Sequence, residues 1–254
     1  MVARTSTVKS LRKTGSKEVS VKEVDGLESE IIARLAALTR QDVQTIRNLR
    51  REFSKRLVKT PPKLIVDLAL KLIRRSEFIP RFFAYELVQH HKEAIQILKA
   101  RSLEDLGAGI DSWVAVDTFA CYLAGPSWRE RQVSDALIQR WARSEDRWWR
   151  RAAVVSTVAL NNKARGGRGD TGRTLMICEM LLADRDDMVV KALSWALREL
   201  AKRDPEAVRK FLGSHEGTLA PRVVREVNSK LQTGLKNPRA SSALRKRARR
   251  SDSN

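Results

Sequence analysis

Cysteine is nearly absent from this chain. Of its 254 residues only Cys121 and Cys178 carry thiols, and they form neither a CxxC pair nor a disulfide framework. They read as small core residues of a protein kept in a reducing compartment. Histidine is scarce too. His90, His91 and His215 show no HExxH or mixed Cys/His ligand spacing, which removes the usual zinc sites. No apolar run approaches the roughly eighteen residues that a spanning helix needs. The N-terminal MVARTSTVKSLRKTGSK has no apolar stretch of the kind a secretory signal carries. A cytoplasmic location beside the chromosome, with no membrane partner, follows as an expectation. No GKS or GKT completes a Walker loop, and no nucleophile, base and orienting acid stand out as a hydrolase triad. The chain is expected to work without metal or cofactor, as a monomer.

Negative charge is also in short supply. Fifty Lys and Arg face thirty Asp and Glu, a formal net charge of +20 with a sequence pI near 10.7. Such an excess suggests a polyanionic partner. Residues 1–22 carry a net +5 and residues 236–254 a net +6, and subtracting both from +20 leaves +9 on the body. A basic body presents a positive surface to phosphate, which favours nucleic acid over a membrane surface. The expected organisation is a flexible basic arm at 1–22, one folded domain at 23–235 and a flexible basic tail at 236–254.

Strands are not apparent, and helical periodicity runs almost throughout. Thr60 followed by Pro61 reads as an N-cap and first turn for PPKLIVDLALKLIRR. Comparable amphipathic segments include QDVQTIRNLRREFSKRLV, RFFAYELVQHHKEAIQIL, SWVAVDTFACYL, DRWWRRAAVVSTVAL and DMVVKALSWALREL. Short connections between helices of ten to twenty residues fit an all-α bundle or a solenoid of helical hairpins. DRWWRRAAVVSTVAL and DDMVVKALSWALREL lie about forty residues apart, and both begin on acids. That period suits HEAT-like repeats. The loop NNKARGGRGDTGR at 161–173, with four basic residues and four glycines, reads either as a flexible surface connection or as backbone able to approach phosphate closely.

A few side chains sit on unexpected helix faces. Asp117 is the lone charge in WVAVDTFACYL, too far along to be that helix's N-cap, for which Asp111 or Ser112 is better placed. It either bonds a neighbouring helix or backbone group, or lines a site with Trp113, its i−4 neighbour. Arg151 falls on a stripe with Val154, Val155 and Val158, so it must pair within the chain, with Asp117 as one partner, or reach a ligand. Trp195 points roughly 140° away from the apolar stripe of its helix, between Lys191 and Arg198, and is expected to be exposed.

With these residues the chain resembles the AlkD-type DNA alkylation repair family, HEAT-like repeat proteins that excise alkylated purines. Four segments carry the resemblance: SWVAVD at 112–117, RWWRRAAVV at 147–155, KALSWALRELAKRDPEAVRKFL at 191–212 and LAPRVVREVNSKL at 219–231. It implies an all-α, single superhelical solenoid of HEAT-like helical hairpin repeats. It also implies that Trp113 and Trp195 are aromatic walls, Asp117 a catalytic carboxylate and Arg151 a basic residue near the lesion's backbone phosphate. Lys191, Arg198, Arg222 and Arg225 become candidates for holding duplex phosphates, or are solvated surface charges. The partner would be double-stranded DNA containing alkylated bases.

The implied activity is a DNA glycosylase releasing 3-methyladenine or 7-methylguanine. An alkylated purine is already cationic, so its glycosidic bond needs little acid catalysis, while a carboxylate and indole faces stabilise the oxocarbenium-like sugar. Two other classes fit the same composition. A non-catalytic repeat protein binding distorted or branched DNA would bind duplexes without releasing bases and would tolerate Asp117→Asn. A helical scaffold for protein partners would lack a salt-sensitive affinity for DNA.

Overall fold

Acids and prolines set where most helices of this chain begin. In the computed structural model, which describes residues 21–237, Asp42, Asp146, Asp170, Asp186 and Asp204 each accept a hydrogen bond from a first-turn amide. Such caps satisfy amides that the helix itself leaves unpaired. The expected arms lie outside the described residues, apart from their innermost positions. The helices are α1 Val21–Ala36, α2 Val43–Arg56, α3 Pro62–Ile73, α4 Phe78–Gln89, α5 Lys92–Gln96, α6 Ala100–Gly107 and α7 Trp113–Phe119. They continue with α8 Gly125–Arg129, α9 Asp135–Ala142, α10 Arg147–Asn161, α11 Thr171–Met180, α12 Asp187–Leu200, α13 Pro205–His215 and α14 Pro221–Thr233. No strand occurs among the described residues, so the chain is all-α.

Two expectations about helix ends change. Pro61, not Thr60, is the N-cap of α3, because Pro62 occupies the first helical position and Pro61 is held extended before it. The segment RFFAYELVQHHKEAIQIL is broken after Gln89. There His91 leaves helical geometry and caps α5, its Nδ1 accepting the Ala94 amide at 3.1 Å. The His91 ring is thus a structural cap.

Consecutive helices pair as hairpins: α1 with α2, α3 with α4, α6 with α7, α9 with α10, α11 with α12 and α13 with α14. The second members then stack side by side, α2 on α4, α4 on α7, α7 on α10, α10 on α12 and α12 on α14. This is the stacking by which repeated hairpins bury a continuous core, since no single hairpin can cover its own apolar face. The forty-residue echo has a structural cause. Asp146 and Asp186 cap equivalent helices, each accepting the amide two residues on at 2.8 Å.

An aromatic group locks the middle of the stack. Phe119 of α7 meets Tyr85, Trp141 and Trp149 at centroid separations of 5.8, 5.9 and 6.0 Å. Directly after Phe119 the helix widens into a π-turn over Ala120–Ala124 before α8, so Trp113 to Arg129 is one continuous helical run. Such turns insert a residue into an α-helix and shift everything beyond it. Cys121 and Cys178 are buried and unbridged. Burial pushes both thiols up to about 12, which leaves them protonated and inert. Among the described residues no helix is long and apolar enough to cross a membrane.

Candidate active site

All eight residues singled out from the sequence lie on four successive members of one row: Trp113 and Asp117 on α7, Arg151 on α10, Lys191, Trp195 and Arg198 on α12, Arg222 and Arg225 on α14. Asp117 and Arg151 meet. The Arg151 guanidinium donates from Nε to Oδ1 at 2.9 Å and from Nη2 to Oδ2 at 2.8 Å, the two-point geometry that suits a carboxylate. Its remaining nitrogen, Nη1, donates to the Met188 carbonyl in the first turn of α12. With all three nitrogens committed and the residue only 5% exposed, Arg151 ties three neighbouring helices to one carboxylate.

Asp117 keeps an opening to solvent, its side chain 18% accessible. Burial pushes its pKa above the ordinary carboxylate value, and the charges of Arg151 and Arg165 pull it back. One turn earlier, Trp113 is 56% exposed, a large indole left at the surface beside the acid. An indole left this exposed is costly in water.

Trp195 differs from its expectation. It is half-buried and packs against the core, because α12 is enclosed by α10, α11 and α14, which leaves no fully solvated face. Three of the four candidate phosphate contacts are already engaged with acids. Lys191 pairs with Asp187 at 2.5 Å, and Arg222 bridges Asp187 and Glu226 at 2.8 and 3.1 Å. Arg198 donates to the Ser194 carbonyl at 3.0 Å and lies 4.0 Å from Glu226. Glu226, only 3% exposed, gathers this cluster. Arg225 is exposed and makes no ion pair among the described residues.

Sequence reading missed a second set of charges. Glu86 of α4, 2% exposed, accepts from Arg47 Nε at 2.7 Å and from Arg50 Nε at 3.4 Å. Arg47 also donates to the Tyr122 hydroxyl at 3.0 Å, and Arg165 lies over the Tyr122 ring at 4.9 Å. The signal was present. Glu86 is the lone charge in FFAYELV, and Arg50 falls about 40° from Ile46 on the apolar stripe of α2, the same anomalies that marked Asp117 and Arg151.

Several carbonyls of the glycine-rich loop are engaged within the chain. Arg129 donates to the Arg165 carbonyl at 2.6 Å, and Arg203 to the Asn161 and Gly167 carbonyls at 2.8 and 2.7 Å. Gly166 takes a left-handed φ of 80°, and a Cβ on Gly167 would lie 2.7 Å from the Asn162 amide nitrogen. Gly167 thus serves tight internal packing, whereas nothing lies within 4 Å of a Cβ on Gly172.

No group of three or more His, Cys, Asp or Glu among the described residues is placed to hold a metal ion. Comparison with curated proteins gives no match. The chain has the fold of the crystal structure of smu.31 from Streptococcus mutans UA159, with a TM-score of 0.52 and 16% identity, covering 84% of this chain and 98% of that one. The family model of DNA alkylation repair enzymes matches residues 41–231. By that match, which spans every residue of the Asp117 and Glu86 clusters, the chain belongs to the DNA alkylation repair enzymes, and its sphere of action is DNA repair.

Proposed function

We propose that this protein is a DNA glycosylase that hydrolyses the N-glycosidic bond of cationic alkylated purines, 3-methyladenine and 7-methylguanine among them, in duplex DNA. The observation that carries this reading is the Asp117 carboxylate, fixed at two points by Arg151, open to solvent and flanked by an exposed Trp113.

A purine alkylated at N3 or N7 leaves as a neutral base when the C1′–N bond breaks, taking the bonding electron pair with it. The sugar is left electron-poor. A carboxylate held where that charge develops stabilises it without reorganising, and the Trp113 face adds a cation–π attraction to the cationic nucleotide. Water then bonds to C1′, and its surplus proton passes through Asp117 to solvent. Arg151 serves as a positioning residue. Its nitrogens are spent on Asp117 and Met188, so in this reading it aims the carboxylate instead of gripping the phosphate that the family resemblance implied. Trp195 forms the second aromatic wall from α12. The folded domain at 23–235 performs the reaction as a monomer built of HEAT-like repeats, and the basic termini add sequence-independent attraction to DNA.

The test is base release from a duplex carrying one 7-methylguanine, read as strand cleavage after alkali, for the wild type and Asp117→Asn. Release by the wild type with near-complete loss in the variant is the expected result. A wild type that binds the duplex but leaves 7-methylguanine and 3-methyladenine attached hands the case to a binding-only protein that recognises distorted DNA.

A further inference from the structure

The Glu86 cluster forms the wall of a cleft of about 790 Å³. Four arginines, Arg47, Arg50, Arg51 and Arg165, line it against the single acid Glu86, a surplus of three positive charges. Glu86 is shared between two guanidiniums, so neither is fully neutralised. Arg50 is 6% exposed and has little water to compensate it. Arg51 and Arg165 have no carboxylate partner among the described residues, although Arg51 does donate to the Asn48 side chain at 2.6 Å. Arg51 is exposed, but Arg47, Arg50 and Arg165, buried or half-buried, still outnumber Glu86, and such an excess is costly unless an anion completes it.

The cleft is built rather than incidental. Arg165 is presented by a loop whose carbonyls are held by Arg129 and Arg203, and its guanidinium lies over the Tyr122 ring. Tyr122 in turn is fixed by Arg47. The loop therefore spends little entropy in offering its charge. The cleft also adjoins the proposed site. Tyr122 lies five residues beyond Asp117 on the same helical run, and Arg165 is near enough to lower the pKa of Asp117.

We propose that this cleft binds backbone phosphates of the damaged strand beside the lesion, so that the Arg47–Tyr122–Arg165 wall sets where the scissile sugar stands relative to Asp117. The shared chemistry is a phosphodiester, and DNA is the source assigned here because the family acts on DNA. The position relative to Asp117 rests on the proposed glycosylase reading, whereas the phosphate contact itself does not.

The experiment is fluorescence anisotropy of the full chain with an undamaged duplex across salt, for the wild type, the double variant Arg51→Gln/Arg165→Gln, and Arg101→Gln as a control. Gln keeps the stem of each side chain, and thermal melts confirm folding. Arg101 is exposed on α6 and, among the described residues, pairs with Asp105 alone. Each phosphate contact contributes about 0.9 to the slope of log affinity against log salt, so the double variant should lose about 1.8. Its deficit relative to the wild type should shrink roughly twelvefold between about 50 and 200 mM salt, while Arg101→Gln keeps the wild-type slope. An unchanged slope in the double variant, or an equal loss in Arg101→Gln, overturns the cleft. Inorganic phosphate that displaces duplex from the wild type as well as competing duplex does would overturn DNA as the source. Because no step uses a damaged base, a protein that fails to release 7-methylguanine can still pass this test.

Discussion

Asp117 and Arg151, thirty-four residues apart, share a two-point hydrogen bond of 2.9 and 2.8 Å that closes α7 against α10. Breaking a buried pair from one side leaves an uncompensated charge. Arg151→Met therefore costs about 3 kcal/mol of stability at neutral pH, and also strands the Met188 carbonyl. Adding Asp117→Asn to it should recover part of that loss, with a coupling of roughly 1–3 kcal/mol. Urea denaturation of both singles and the double checks it, and additive losses would mean that the pair is not the seat of the effect.

That variant has a pH signature. Folding raises the pKa of Asp117, so the folded state holds the proton more tightly than the unfolded chain, and its relative stability is greatest at low pH and falls as pH rises through the folded value. Loss of Arg151 raises that value further. The stability deficit of Arg151→Met should be smallest in acid and grow towards neutrality. A deficit independent of pH would separate it from the Asp117 charge.

Activity follows the opposite limb. Only the ionised carboxylate stabilises an electron-poor sugar, so single-turnover base release should rise with pH through a midpoint above the ordinary 3.8 of an aspartate. Burial sets that direction, with Arg151 and Arg165 opposing it. Arg165→Gln should push the midpoint higher. A midpoint at or below 3.8 is incompatible with Asp117 as the titrating group.

Two helical glycines should respond oppositely to alanine. A Cβ on Gly125 would lie 2.6 Å from Ala159 Cβ, 2.7 Å from the Ser156 carbonyl and 2.8 Å from that of Ala120, so α8 could not stay seated on α10. The usual helical gain of about 0.5–1 kcal/mol is outweighed by an overpacking cost of roughly 1–3 kcal/mol. Gly213 on α13 has nothing within 4 Å of such a Cβ, and there the gain should appear. Thermal melts of the two variants should move in opposite directions.

The all-α class and most helices were legible because apolar spacing is a local property, and Pro and Asp mark helix starts within a few residues. Asp117 and Arg151 were legible as misfits, though their partnership was one choice among several until two helices were brought together. Arg50 and Glu86 carried the same signal, but no family motif drew attention to them. Trp195 was misjudged because a helical wheel assumes one solvated face, and α12 has neighbours on several sides. The capping role of His91 depends on a break after Gln89 that periodicity alone runs straight through.

The two tryptophans separate chemistry from packing. Trp113 is more than half exposed and supports little of the core, so Trp113→Ala should change stability by about 0.5 kcal/mol or less. Trp195 packs against the core, and its truncation should cost a sizeable part of the roughly 3–5 kcal/mol seen for buried aromatics. If both indoles face the cationic nucleotide, both variants slow base release, and Trp113→Ala does so while melting like the wild type. The comparison is made at saturating enzyme in single turnover, which removes weaker DNA binding from the rate. A Trp113→Ala protein with wild-type rate would remove the indole from the transition state and leave Asp117 to stabilise the sugar alone.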